Sequence, residues 1–206
     1  MLGQILVSQI GPRMVSKKKE GSKEKVSVKE KLLNSAYELF NRDGIHKTGI
    51  DKIIKNAGVA KMSLYAHFSS KQDLVVEYLK IRDEEWFDLI NSYIVKASKP
   101  EEKLLKIFEA LEDWFDQDNF FGCPFINGMA EFEEFDNPTV SSCISQHFDK
   151  TGVLVEELLT EMKKPNKELV SKICMIIVGA IVLAQASRTS TPAVMAKEVV
   201  LQLVKT

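Results

Sequence analysis

The stretch Thr48-Gly-Ile-Asp-Lys-Ile-Ile-Lys-Asn-Ala-Gly-Val-Ala-Lys-Met-Ser-Leu-Tyr-Ala-His-Phe68 constrains this chain more than any other. Ile50, Ile53, Ile54 and Ala57 repeat with the period of one helix face. Gly58 then supplies a residue that takes the left-handed conformation cheaply. A second short helix follows, expected from about Ala60 to Phe68, with Leu64 and Phe68 as its anchors. Two short helices across a glycine turn form the unit that lays a recognition helix in a DNA major groove.

The sequence around it is helical throughout, and no alternating strand pattern competes. Ser27-x-x-Glu30 is a capping box ahead of Leu33, Ala36, Tyr37 and Phe40, with Gly44 at the helix end. Thr48-x-x-Asp51 is expected to cap the second helix through Thr48, and Ser70-x-x-Asp73 to open a fourth that runs to about Lys96. Leu74 and Val75 are expected to close the small N-terminal core. Further helices are expected over about 101–114, 120–135, 138–162, 167–187 and 193–204, each set off by Pro or Asn. The fold class is all-α: a three-helix N-terminal helix-turn-helix domain and a C-terminal helical domain, about nine helices in all.

Charge divides the chain in the same place. Residues 1–71 hold 14 Lys/Arg against 6 Asp/Glu, whereas the remainder is acidic and the whole chain stands at -1. A basic segment on an acidic body is the electrostatic footprint of a nucleic-acid module. Residues 1–26 read as a polar, lysine-rich arm, in which Met14 is an alternative start. Three widely spaced cysteines, Cys123, Cys143 and Cys174, fit a reducing compartment, with neither a disulfide framework nor a zinc site. No signal peptide is apparent, and the apolar run from Ile173 to Ala186 is broken at Gln185, so a cytoplasmic protein without a membrane span is expected.

Residues 27–86 resemble the DNA-binding domain of the TetR (tetracycline-repressor-like) family of bacterial transcriptional regulators. Ala36, Leu39-Phe40, Gly44, Thr48, Ile53, Ala57-Gly58-Val59, Leu64-Tyr65-Ala66-His67-Phe68, Lys71 and Leu74 carry the resemblance with their spacing. Beyond residue 90 it is architectural, apart from Gly122-Cys-Pro-Phe-Ile-Asn127, which is similar to a segment in the sixth helix of several branches. The resemblance implies three regions: the arm at 1–26, a DNA-binding domain at 27–86 with the helix-turn-helix at about 49–68, and a ligand-binding and dimerisation domain at 87–206. It also implies a regulator, most simply a repressor, that binds a palindromic operator in double-stranded DNA as a homodimer. A small apolar or aromatic effector would release it.

Lys61, Met62, Ser63 and Ala66 are the expected base-reading face. Thr48, Tyr65, His67 and Lys71 are, by resemblance, phosphate contacts, which fix register without reading sequence. Gly49 belongs to the same set, although family members often carry a hydroxyl there. They also commonly carry Ser or Thr where this chain has Ala60, a poor helix cap.

Of 17 aromatic residues, 12 lie between Trp86 and Phe148. Trp86, Trp114, Phe115, Phe121, Phe125 and Phe148 are candidate walls of an effector site, with Phe120 and Phe132 in the same cluster and Cys123, Asn127 and Met129 nearby. A packed aromatic core is the competing reading. The eighth helix is too apolar for a single buried stripe, so Ile173, Ile177, Ala180, Ile181 and Ala184, with Val194 and Val199 on the ninth, are expected to form a two-fold dimer bundle.

An enzyme is not expected. Glu-x-x-His pairs, a phosphate loop, a Gly-x-Ser-x-Gly elbow and His-Glu-x-x-His are all missing, and neither cofactor nor metal is implied. The acidic run Glu131–Asp136 has no liganding pattern. A helical interaction protein that keeps the fold without reading DNA is the alternative, and salt-resistant sequence preference separates the two.

Overall fold

The computed structural model describes residues 26–131 and 138–205. The arm before Val26, Phe132 and most of the acidic run lie outside the described residues. Nine helices follow in order among the described residues: α1 Val28–Asp43, α2 Ile50–Ala57, α3 Lys61–Tyr65, α4 Lys71–Ile94, α5 Pro100–Phe115, α6 Pro124–Glu131, α7 Pro138–Glu161, α8 Lys167–Ser187 and α9 Thr191–Lys205. No described residue is in a strand. Two compact units divide between Tyr78 and Leu79, inside α4. That division falls eight residues before the expected boundary at residue 86.

The first unit packs α1, α2 and α3 against one another. Its caps explain the helix starts. Ser27 Oγ accepts the Glu30 N–H at 3.2 Å while the Glu30 carboxylate accepts the Ser27 N–H at 2.7 Å. Ser70 and Asp73 repeat the reciprocal pair ahead of α4. Leu32, Ala36, Ile53, Leu64 and Leu74 are fully buried. Tyr37 and Phe40 meet the ring of Tyr78 edge-on, with centroids 5.6 and 5.5 Å away. Lys52 reaches back from α2 to Asp43 at 2.6 Å, and Arg42 first, with this lysine second, holds the Asp43 carboxyl well below the usual carboxylate range.

In the second unit α5, α7, α8 and α9 pack on one another, and α6 lies on α7. Asn166 caps α8 by accepting the N–H groups of Glu168 and Leu169. Gly122, with φ +89°, precedes α6, and the Gln185 side chain occupies the space where a Cβ would stand. Gln185 then donates to Asn127 at 3.3 Å, and Asn127 to the Phe121 carbonyl at 3.2 Å.

Helix α8 corrects two expectations. It has 21 residues, and an 18-residue stretch of it has a mean hydropathy of 2.2, long and apolar enough by length and composition alone to cross a membrane, where no such run was expected. It also carries two apolar stripes. Ile173, Ile177, Ala180, Ile181 and Ala184 are buried inside the chain, so they leave no area for a partner. The expected dimer contacts at these five positions are therefore internal core. The opposite stripe, Met175, Val178, Gly179, Val182, Leu183 and Ala186, falls at i, i+3, i+4, i+7, i+8 and i+11, with Val178 and Gly179 half-buried and the other four exposed. Val194 and Val199 on α9 are exposed, as is Met195. Periodicity found an excess of apolar surface but could not say which stripe faced the chain's own helices.

Candidate nucleic-acid interface

Gly58 turns the chain between α2 and α3 at φ +64°, ψ +38°, the left-handed region that a side chain makes costly. Its N–H bonds the end of α2, and Val59 N–H bonds the Ile54 carbonyl at 3.2 Å. The α3 helix is one short turn, stopping at Tyr65 rather than Phe68. Beyond it, the N–H groups of both His67 and Phe68 bond the Leu64 carbonyl at 3.0 and 2.8 Å. This tightened end turns Phe68 into the core beside fully buried Leu64.

With those two anchors inward, Lys61, Met62, Tyr65, Ala66 and His67 face outward and Ser63 is half-exposed. Met62, 86 % exposed, has no packing reason to be there. Lys61 Nζ lies 3.2 Å from Asp51 Oδ1, an exposed pair of the kind that salt screens and a phosphate replaces. Lys71 is half-buried at the start of α4, where the helix dipole favours an anion. Gly49 is exposed and is itself the N-cap of α2, with open space where a Cβ would project.

Thr48 departs from both roles expected of it. It is fully buried and makes no cap bond. Its hydroxyl donates back to the Gly44 carbonyl at 2.8 Å, with the Leu39 carbonyl also near at 3.3 Å. The side chain thus ties the α1–α2 turn together and is hidden from any phosphate. Ser35, which the sequence reading passed over, similarly ties α1 to α2 by donating to the Ile53 carbonyl at 2.8 Å.

Ala60 is the N-cap of α3, in the extended conformation that a cap requires (φ -77°, ψ 151°), but makes no side-chain bond. Serine at this position is expected to accept a first-turn N–H and add about 1 kcal/mol of stability. Chemical denaturation of Ala60→Ser should show the higher midpoint with an unchanged slope.

The aromatic region of the second unit forms two linked groups. Trp86 meets Trp114 at 5.5 Å between centroids, and Phe120 lies 5.0 and 4.9 Å from Trp114 and Phe115. Phe125 stacks on His147 at 3.7 Å, and Trp86, Phe87 and Phe148 meet the same imidazole edge-on. Phe115, Phe125 and Cys123 are buried, while Phe121 is half-buried. Met129 is half-exposed on α6, and Asn127 is engaged with Phe121 and Gln185. Burial pushes the Cys123 thiol up, against reactivity.

The sequence reading missed His147, which bonds Asp83 through Nδ1 at 2.8 Å while Lys150 reaches the other Asp83 oxygen at 2.6 Å. Burial lowers the His147 pKa and Asp83 opposes that shift. The signal was present: Val140, Ile144, His147, Thr151, Val155 and Leu158 mark one buried stripe of α7. An outer groove of about 470 Å³ is lined by Phe87, Asn91, Gln146, Lys150, Val153 and Leu154 among others. None of these was a sequence-level candidate.

Comparison with known proteins agrees with this arrangement. A family model described as "Bacterial regulatory proteins, tetR family" matches residues 32–78. The chain is 25% identical over 181 residues to the uncharacterized HTH-type transcriptional regulator YxaF of Bacillus subtilis, covering 86% of this chain and 95% of that one. It is 27% identical over 168 residues to the HTH-type transcriptional regulator LmrA of the same species, covering 80% and 89%. The crystal structure of SCO4454, a TetR-family transcriptional regulator from Streptomyces coelicolor, superposes with a TM-score of 0.80 at 26% identity, covering 87% of this chain and 96% of that one. Helix-turn-helix, glycine turn, outward α3 face and whole-length relatives agree: residues 32–78 form a TetR-family DNA-binding domain, and the chain as a whole is similar to TetR-family transcriptional regulators.

Proposed function

We propose that this regulator is a homodimeric repressor of a palindromic operator, released by a small apolar or aromatic effector. The observation that carries the reading is the outward face of α3, an 86 %-exposed methionine among Lys61, Tyr65 and His67 on a helix anchored by buried Leu64. Met62 and Ala66 offer apolar contact to thymine methyl groups, and Lys61 and Ser63 offer hydrogen bonds to base edges. Tyr65, His67 and Lys71, with the Gly49 backbone, engage phosphates. The unit up to Tyr78 reads DNA, and the unit from Leu79 binds the effector and dimerises. Cys123, Cys143 and Cys174 form no disulfide, which fits the reducing cytoplasm.

The partner in the dimer is a second copy of the chain, docked on Met175, Val182 and Leu183 of α8 with Val194, Met195 and Val199 of α9. Their outward apolar stripe is larger than a lone surface helix presents. Two-fold pairing sets two α3 helices against half-sites about 34–36 Å apart, or a multiple of that turn. The effector acts by preferring one helix arrangement, and it weakens DNA binding only by that differential affinity.

Selection of bound sequences from a random duplex library tests the reading. A palindromic consensus that survives rising salt supports it, and binding that only falls with salt, without sequence preference, supports a non-reading interaction protein. On the selected site, Tyr65→Phe and Lys71→Ala should weaken consensus and variant sites alike, whereas Met62→Ala should change the preferred base. Equal effects from all three would contradict the division into readers and anchors.

A further inference from the structure

The indole Nε1–H of Trp86 is buried and has no hydrogen-bond partner. Trp86 itself is 9 % exposed. An indole N–H shut away from water without an acceptor loses its hydration for nothing, and such groups in native proteins call for an explanation. Neither neighbouring ring bonds it: Trp114, which it meets edge-on, has only a donor of its own, and His147, with its ring centroid 6.2 Å away, is held on Asp83 through Nδ1. A phenylalanine would fill an apolar aromatic site equally well without the orphaned donor. One turn earlier on α4, Arg82 lies on the same helix face, largely buried and ion-paired with Glu85 at 3.2 Å. Its charge favours electron-rich oxygen nearby over a second donor or a cation.

We infer that Trp86 is the specificity-determining contact for the effector: its indole N–H donates to an acceptor oxygen on an otherwise flat, aromatic ligand. The inference rests on the ligand-responsive reading above and narrows it. The ligand is an aromatic ketone, quinone, phenolate or carboxylate rather than a hydrocarbon or an aromatic cation. The surrounding rings of Trp114, Phe125 and Phe148 contribute apolar contact that does not distinguish among such ligands. The single polar bond decides between them, since a site built around a hydrogen bond rejects the analogue that lacks it.

The test uses two probes of nearly the same shape, 9-fluorenone and fluorene, which differ by a carbonyl oxygen in place of a methylene. Titration calorimetry on the full chain should show fluorenone binding about tenfold tighter than fluorene. Trp86→Phe should remove the difference between the two probes, whatever the smaller ring costs the affinity they share. Should that variant fold poorly, ¹⁵N-indole spectra of the unaltered protein give the same answer. The chain has two tryptophans, and Trp114→Phe assigns the signal. The Trp86 Nε1–H resonance should move downfield with fluorenone and stay in place with fluorene. Equal affinity for the two probes, or a preference that survives Trp86→Phe, overturns the inference and leaves the ligand-responsive reading standing. Failure of both probes to bind removes the aromatic-effector reading and the inference together.

Discussion

Leu64→Ala is expected to destabilise the N-terminal unit by about 2–5 kcal/mol and to abolish operator binding. Leu64 is fully buried, and α3 is only five residues long, so no neighbouring turn can hold the helix once the anchor is lost. Such a helix has little stability of its own and depends on its packing. Against a typical total of about 5–15 kcal/mol the loss is large. Circular dichroism on heating should show the first part of the melting curve move down by about 10 °C or more. Tyr65→Ala is the control. Tyr65 is 52 % exposed, so that variant should keep its melting curve and lose DNA affinity alone. Loss of binding with an unmoved melting curve in Leu64→Ala would mean that α3 does not depend on this anchor.

The second large effect is expected at the outward stripe of α8. Leu183 is 60 % exposed within one chain, so Leu183→Glu should leave the protomer's fold intact. In a dimer that carboxylate would be buried against a second apolar stripe, and an unpaired buried charge is too costly to keep. Sedimentation velocity should report a monomer. Operator affinity should fall by about a hundredfold or more, since each half-site would then bind without the other's effective concentration. The matching change on the inner stripe, Ile177→Glu, should instead unfold the second unit, because Ile177 is 2 % exposed within the chain. A dimeric Leu183→Glu protein would move the interface elsewhere.

What could be read in the sequence, and what could not, follows the range of the interactions. Ser27, Ser70 and Asn166 are caps whose partners lie two or three residues away, so spacing alone was enough to find them. Gly58 was legible because one residue's backbone conformation dictates it. Thr48 was misread because its partners lie four and nine residues back, on the end of α1, and a local cap pattern fits the same letters. The length of α3 was overestimated because the chain after Tyr65 is set by Phe68 entering the core rather than by propensity. On α8 both stripes obey the helical period, and only the packing of α5, α7 and α9 determines which is inside. His147 was passed over because its role depends on Asp83, 64 residues away.

The doubly apolar α8 has a consequence for how much of this regulator a cell can hold. If its outer stripe is covered only by a second copy, folding and assembly share one equilibrium, and apparent stability rises with the total amount of chain. Below the dissociation constant, each newly made protomer displays a hydrophobic helix of the kind that chaperones and proteases bind. Scarce protein is then cleared faster than abundant protein. Turnover therefore imposes a lower limit on the working concentration, independent of operator and effector alike.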